Sequence, residues 1–150
     1  IQEVMSTLAS EMKSKKVTCH FSGDSEICIT TIPGALAQVF TNLVTNSVRH
    51  GFENVNNGNI SIEVIDENNF VGIVYKDNGQ GIKTDDLNKV FKPFFTTKRN
   101  KGGTGLGMNI VYNIISQKLG GSIKLSSEYG TGVVFRIRLP KKIQKLQLGE

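Results

Sequence analysis

The stretch 33–50 restricts the possible folds more than any other, because it predicts a helix with two chemically opposite faces. An apolar stripe recurs at helical spacing: Leu36, Val39, Phe40, Leu43 and Val44. The opposite side carries a polar row: Gln38, Asn42, Asn46 and Arg49. Such a helix packs its apolar stripe against another layer of the fold and turns its polar row away from that layer.

The remaining segments predict the strands and helices of a two-layer fold. Alternating apolar residues predict strands at 17–21 and 27–29 joined by a turn near Gly23, at 60–64 and 70–76, and in a closing hairpin at 123–125 and 133–139. Helical spacing predicts a helix over 1–13, a short one after Thr84 and a longer one over 106–119. These elements favour an α/β two-layer sandwich, with a mixed, mostly antiparallel sheet covered on one face by helices.

The composition fits one domain rather than two. The chain has 150 residues, 38% of them hydrophobic, which is enough for a single core. We expect the domain at 14–140, with the end of an upstream helix at 1–13 and a charged tail at 141–150. No apolar run approaches the roughly 20 residues that span a bilayer. The first residues lack the basic start and apolar core of a signal peptide. The chain is therefore predicted to be a cytoplasmic fragment.

Neither the cysteines nor the charge predicts a zinc site or a nucleic-acid partner. Cys19 and Cys28 lack CxxC spacing, which fits a reduced compartment without a disulfide framework. The net charge of +5 comes from separate basic groups, and the two groups near the termini are typical of solvated surface. A DNA-binding module is supported by charge alone, and we expect no nucleic-acid partner.

Two segments carry polar side chains that suit a nucleotide. Asn42 and Asn46 offer amide oxygens of the kind that Mg²⁺ accepts while it shares its coordination with phosphates, although a solvated face explains the same pair. Asp77 ends a strand and precedes Gly79 and Gly81. That stretch is either an ordinary turn or a close approach to a flat ligand, whose exocyclic amine would donate to the carboxylate.

A glycine-rich stretch, Gly102-Gly103-Thr104-Gly105-Leu106-Gly107, leads into the last predicted helix. Backbone amides at a helix N-terminus bind anions, so the stretch favours a polyphosphate site, with a flexible connection as the alternative. It matches neither the Walker motif, which needs Lys after its last glycine, nor the dinucleotide fingerprint, which follows a strand. Lys98, Arg99 and Lys101 precede it, within reach of the same phosphates.

Five stretches, in this order, resemble the motifs of sensor histidine kinase ATP-binding domains. Asn42-Leu43-Val44-Thr45-Asn46-Ser47-Val48-Arg49-His50 resembles the N box, and Asp77-Asn78-Gly79-Gln80-Gly81-Ile82 resembles the first glycine box. Phe91-Lys92-Pro93-Phe94-Phe95 is similar to the F box, Gly103-Thr104-Gly105-Leu106-Gly107 to the second glycine box, and Gly130-Thr131-Gly132 to the final Gly-Thr turn. Together they span 42–132, and their shared order carries the resemblance.

The resemblance implies the GHKL superfamily fold, with ATP between the N-box helix and a mobile lid at about 91–107. Asn46 would hold Mg²⁺, Asn42 would help to order the phosphates, and Asp77 would bind the adenine amine. Arg49 joins Asn42 and Asn46 as a candidate catalytic residue. The other residues that the resemblance assigns to the nucleotide are His50, Gly79, Gly81, Ile82, Phe91, Lys98, Gly103, Thr104, Gly105, Leu106, Gly107 and Thr131.

Phosphoryl transfer needs alignment, charge neutralisation and a nucleophile, and the chain supplies the first two. The resemblance places the acceptor His in a separate helical hairpin, a context that neither His20 nor His50 has. It implies a histidine kinase catalytic domain that works with the dimerisation and His-phosphotransfer domain of the same protein, as a homodimer through that domain, and with a response regulator receiver domain. Residues 1–13 would be the end of the hairpin or its linker. The parent protein would be either anchored to a membrane or free of it.

Two other classes in the superfamily stay open as alternatives. ATP hydrolases of the gyrase and chaperone type carry Glu where Asn42 stands, and that carboxylate activates water. Asn42 cannot act as a base, which favours a kinase, although Glu53 lies close enough in sequence to supply one. Anti-sigma serine kinases share the nucleotide site, and His50-Gly51-Phe52-Glu53 is reminiscent of them. The Phe94-Phe95-Thr96-Thr97-Lys98 stretch and the upstream helix favour a sensor kinase.

Overall fold

Strands of alternating burial form the sheet, as the period-two patterns predict. The computed structural model describes residues 2–143, and within them the sheet has five strands: β1 (Thr18–Gly23), β2 (Asn59–Glu67), β3 (Phe70–Asp77), β4 (Ser122–Glu128) and β5 (Gly132–Pro140). The strand order is β1-β2-β3-β5-β4. β1 and β2 run parallel, whereas the other neighbours are antiparallel. The predicted mixed, mostly antiparallel sheet is confirmed.

One face of the sheet is apolar and packs on the helices. Ile60 and Ile62 of β2 are buried, whereas Glu63, the residue after Ile62, is exposed to solvent. β5 repeats this pattern, with Phe135 buried and Arg136 exposed. Because successive side chains of a strand point to opposite faces, the buried sets of neighbouring strands meet on one side. That side forms the core with the helices.

Three α-helices cover the apolar face in the described part of the chain: α1 (Gln2–Ser14), α2 (Pro33–Asn46) and α3 (Gly107–Asn113). Wide π-type turns extend α2 through Ser47–Gly51 and α3 through Ile114–Lys118. The predicted stripe of α2 is the centre of the core, since Val39, Phe40 and Val44 are fully buried. Each such side chain contributes roughly 1.5 to 3 kcal/mol through burial, so the predicted two-faced helix is confirmed.

The predicted strand at 27–29 is wrong. Residues 24–32 form a turn and a connection instead, in which the Asp24 carboxylate accepts a hydrogen bond from the Glu26 amide at 2.9 Å. β1 therefore pairs with β2 rather than with its own sequence neighbour. Ile27 and Ile29 pack against the core while half-buried. Their alternation comes from this packing and not from strand pairing.

The chain after β5 is only partly described. Lys141 donates its amide to the Asn69 carbonyl at 2.9 Å, and Ile143 donates to the Thr30 carbonyl at 3.3 Å. The start of the expected tail at 141–143 is therefore bonded to the domain. The rest of that prediction, residues 144–150, lies outside the described residues.

Candidate functional site

A cleft of about 570 Å³ lies between the end of α2, the end of β3 and the segment 91–107. It brings together most of the residues predicted for the site: Asn42, Asn46, Arg49, His50, Asp77, Gly81, Ile82, Lys98, Gly103, Thr104, Gly105 and Gly107. They come from separate stretches of the sequence, so the fold assembles them. A concave site with a few convergent polar groups is the usual form of a small-molecule site.

Asp77 lies at the buried end of the cleft, where its carboxylate is held from three sides. The residue is only 8% exposed. Its Oδ1 accepts hydrogen bonds from the backbone amides of Gly79 at 2.9 Å and Val133 at 3.3 Å. Its Oδ2 accepts a hydrogen bond of 2.5 Å from the Ser47 hydroxyl. The carboxylate is therefore fixed before any ligand arrives.

Ser47 and Tyr75 extend this network into the core. The two hydroxyls lie 2.8 Å apart, and Tyr75 donates to the Leu43 carbonyl at 3.2 Å. Burial raises the pKa of Asp77 above its ordinary value of 3.8, against the lowering effect of the Ser47 hydroxyl and the two amides. Hydrogen bonds from N–H and O–H groups favour the ionised form of a buried carboxylate. An N–H group of a ligand in the cleft would add one more.

Two glycines shape the wall of the cleft beside this carboxylate. A Cβ on Gly51 would lie 3.4 Å from Asp77 Oδ2, so a side chain at this position would contact that oxygen. A Cβ on Gly79 would lie 2.7 Å from the Gly51 carbonyl oxygen, a distance that real contacts do not allow. Gly79 is therefore required by the loop's close approach to the end of α2, where the Gln80 amide donates to the Gly51 carbonyl at 2.9 Å.

Asn42 presents an amide donor without an acceptor at the opposite end of the cleft. Its Nδ2 is buried and has no hydrogen-bond partner among the described residues. An unpaired buried N–H group costs roughly 1 to 3 kcal/mol, so an acceptor that reached Asn42 would remove this cost. Asn46, one helical turn further along α2, is half-buried in the same cleft.

The donor set restricts how a metal ion would be held. Within the described residues no group of three or more His, Cys, Asp and Glu side chains is placed to bind a metal. The cleft instead offers the amide groups of Asn42 and Asn46. Mg²⁺ fits such a site, because it keeps several waters and binds through few protein oxygens together with ligand phosphates.

Basic side chains surround this second end, and protein carboxylates already pair with them. Arg49 donates its Nε to Glu11 of α1 at 2.8 Å, which lowers the pKa of the Glu11 carboxyl. Lys98 pairs with Glu53. Partial burial lowers the pKa of His50 below its ordinary value of 6.5, with further lowering from the positive charges of Lys98 and Arg49. The field at this end favours an anion.

Four of the predicted residues do not line the cleft: Gly79, Phe91, Leu106 and Thr131. Phe91 packs edge-on against Phe135 with the ring centroids 6.3 Å apart. The centroid of the Tyr112 ring lies 5.5 Å from that of Phe91. It anchors the base of the segment 91–107 in the core. Thr131 is exposed and donates its hydroxyl to the Glu128 carbonyl at 3.0 Å within the β4–β5 turn.

The cleft also contains residues that sequence reasoning missed. Gln80 donates its Nε2 to the His50 carbonyl at 3.0 Å, and Lys83 lies over the Tyr129 ring at 5.6 Å from its centroid. All of them line the cleft. Gln80 lies inside the first glycine motif, so its position in the sequence could have indicated a place in the site. No such indication existed for Tyr129, because an isolated aromatic residue beside a turn is ordinary in any hairpin.

The fold and this cleft agree with a known family. The family model described as histidine kinase-, DNA gyrase B- and HSP90-like ATPase matches residues 31–143. That range contains the cleft, its two polar ends and the sheet beneath it. The chain belongs to this ATPase family.

Individual relatives place it among the histidine kinases. Sensor histidine kinase ZraS of Escherichia coli is 32% identical over 97% of the chain, which spans 30% of that protein's length. The catalytic domain of histidine kinase ThkA, in a nucleotide-free form, superposes with a TM-score of 0.80 at 31% identity and covers 94% of this chain and 90% of its own. ThkA in complex with response regulator protein TrrA superposes with a TM-score of 0.75 at 29% identity, over 93% of this chain and 39% of its own. Within that ATPase family, the chain belongs with the catalytic domains of histidine kinases.

No helix within residues 2–143 has the length and apolar character that crossing a membrane requires.

Proposed function

We propose that this domain binds Mg-ATP in the cleft and transfers the γ-phosphoryl group to a His outside the chain. The observation that carries the proposal is Asn42, whose buried Nδ2 lacks an acceptor among the described residues. Hydrolases of the superfamily have Glu at this position as the base that activates water. An amide donor cannot take a proton from water, but it can bind a phosphate oxygen.

The adenine end of the proposed site is Asp77. Asp77 and Gly51 both line the cleft, and Gly51 has no side chain to cover Asp77 Oδ2. The exocyclic amine of adenine donates to this oxygen, whereas the carbonyl at the same position of guanine would face a negative charge. Ser47 and the amides of Gly79 and Val133 hold the carboxylate for this contact.

At the phosphate end, Asn46 would hold Mg²⁺ and Asn42 would bind a phosphate oxygen. The metal, when bound, neutralises the charge of the phosphate oxygens during transfer. Lys98 and Arg49 supply further positive charge at this end of the cleft. The residues of this chain therefore align and neutralise the triphosphate, which is what phosphoryl transfer requires of a protein.

The acceptor His belongs to another domain in this proposal. His50 lines the cleft among the residues proposed for the phosphates, and it lacks the His-Glu or His-Asp context of the family's acceptor, since Gly51 follows it. The chain spans 30% of the length of ZraS, so the relatives have room for such a domain. We propose a dimerisation and phosphotransfer domain of the same protein as first partner, with homodimerisation through it. A response regulator receiver domain is the second, as the ThkA complex with TrrA supports.

Location follows from the same reasoning. ATP and a receiver domain are found in the cytoplasm, so we propose a cytoplasmic catalytic domain whose parent protein is either anchored to a membrane or free of it.

The hydrolase alternative depends on a different base, and Glu53 was the candidate. Its carboxylate pairs with Lys98 and Lys101. Two ammonium groups stabilise the ionised form of a carboxylate and so weaken it as a base. Glu53 is therefore a poor substitute for the glutamate that Asn42 replaces.

A transfer assay tests the proposal. The wild-type domain, given labelled Mg-ATP and the hairpin domain of its own parent protein, should place acid-labile phosphate on the hairpin and none on itself. Asn46→Ala should abolish transfer, whereas Asn56→Ala, an exposed asparagine away from the cleft, should not. Release of free phosphate without labelled hairpin would make the protein a hydrolase. Acid-labile label on the domain itself would show that the acceptor lies inside this chain.

A further inference from the structure

Glu53 connects the end of α2 to the glycine-rich segment that borders the cleft. Its carboxylate accepts hydrogen bonds from the ammonium groups of Lys98 and Lys101, which lie 45 and 48 residues further along the chain. The Glu53 side chain is 25% exposed and that of Lys98 is 19% exposed. One largely covered carboxylate thus holds two cations of the predicted lid.

These ion pairs are the polar link between the middle of the lid, 96–105, and the rest of the domain in the described part of the chain. In the described residues, the backbone hydrogen bonds of 96–105 stay within that range. The Arg99 side chain reaches only as far as the Phe94 carbonyl, at 2.6 Å. Lys98 and Lys101 therefore make the polar contacts that join this segment to the turn after α2.

Lys98 is also at the phosphate end of the proposed site. It lines the cleft, and its charge helps to lower the pKa of His50. A polyphosphate that enters the cleft therefore meets an ammonium group that Glu53 already occupies. Both anions compete for the same cation, and Glu53 adds a negative charge next to the arriving ligand.

We propose that Glu53 is a specificity-determining residue: it holds the lid lysines until a third phosphate displaces it, which makes release of these lysines depend on ATP rather than ADP and lowers the affinity for ATP relative to ADP. This inference rests on the function proposed above. With the base fixed at Asp77, a triphosphate reaches one phosphate further towards Lys98 than a diphosphate does. A terminal phosphate also carries more charge and more acceptor oxygens than a carboxylate, so it wins the exchange where it reaches the lysine.

Calorimetric titration of the wild-type domain and of Glu53→Gln with Mg-ATP and Mg-ADP tests the inference. Loss of a competing ion pair should tighten ATP binding by roughly three- to tenfold, and ADP binding by much less. Glu63→Gln is the matched control, because Glu63 is exposed on the solvent face of β2 and should change neither affinity. Unchanged or weaker ATP binding by Glu53→Gln would overturn the specificity role.

Limited digestion by trypsin, without nucleotide, tests the contact itself. If Glu53 holds the lid, Glu53→Gln should be cut faster than the wild type and the Glu63→Gln control after Lys98 and Lys101. Equal cleavage rates in the three proteins would show that Glu53 does not hold the lid. The two proposals also fail differently. A wild type that binds neither nucleotide refutes the proposed function and the specificity role with it, whereas wild-type binding with an unchanged variant refutes the role of Glu53 alone.

Discussion

The two ends of the cleft are built in opposite ways. At the proposed adenine end, Asp77 is buried and bonded to the hydroxyl of Ser47 and to two backbone amides. At the proposed phosphate end, Arg49 and Lys98 pair with carboxylates that lie partly in solvent. In the proposed function, the first end recognises a ligand with groups already in place, whereas the second exchanges its partners when a ligand binds.

This difference follows from what each end binds in the proposed function. A base has a fixed pattern of donors and acceptors, so a rigid carboxylate discriminates well without reorganisation. A polyphosphate is highly charged and must be released again after transfer. Arg49 and Lys98 keep carboxylate partners in the absence of nucleotide. They can exchange these partners for phosphates, because ion pairs that solvent reaches are each worth only about 0 to 1 kcal/mol.

The largest expected effect is at the adenine end. Asp77→Asn replaces the charged acceptor by an amide, and we expect nucleotide binding to weaken by about 1.5 to 3 kcal/mol, which is roughly 10- to 150-fold. Calorimetric titration with Mg-ATP measures it. The wild type should also bind a GTP analogue much more weakly than ATP. Equal affinity of the wild type for both bases, or unchanged ATP affinity in the variant, would remove Asp77 from base recognition.

A smaller effect is expected from the hydroxyl that supports Asp77. Ser47→Ala leaves both Asp77 Oδ2 and the Tyr75 hydroxyl without a protein partner that they now have. We expect a loss of roughly 1 to 2 kcal/mol in the free energy of unfolding, measured with urea. Ser6→Ala, in the exposed part of α1, should leave stability equal or slightly higher. If the Ser47→Ala domain were as stable as the wild type, the hydrogen bonds of Ser47 would not contribute to stability.

The smallest expected effect is the pH dependence that His50 adds at the phosphate end. Its pKa in the folded domain lies below the ordinary value of 6.5 because of burial and nearby cations. As the pH falls through 6.5, the unfolded chain takes up a proton that the folded domain does not, so stability is lost. His50→Gln should therefore flatten the decline of unfolding free energy below pH 6.5. An identical pH profile in wild type and variant would show that His50 titrates normally.

The comparison also shows which contacts a sequence reveals. α2 was predictable, because its core positions repeat at helical spacing and its polar row follows the same period. Asp77 and the glycines beside it were predictable as a motif. The bond from Ser47 to Asp77 joins residues 30 apart, and the pair of Glu53 and Lys98 joins residues 45 apart. Such contacts leave no periodic signal, since they depend on the approach of separate elements.

The error at 27–29 has the same origin. Two isoleucines at alternate positions satisfy the pattern of a strand, but a strand forms only where a neighbouring strand offers free backbone groups. β1 finds such a neighbour in β2 and runs parallel to it, with Thr18 opposite Asn59. The register between segments so far apart in sequence is set by tertiary packing. Local alternation therefore predicted the strands of the sheet better than it predicted their neighbours.

Hydrogen exchange of backbone amides tests the contrast between the two ends most directly. The amides of Gly79 and Val133, which donate to Asp77, should be protected without nucleotide and change little when a non-hydrolysable ATP analogue binds. The amides of 96–105, whose backbone bonds are local, should exchange fast without nucleotide, little slower with ADP and much slower with the ATP analogue. Equal gains in protection at both ends, or a lid that responds alike to ADP and the ATP analogue, would contradict the account.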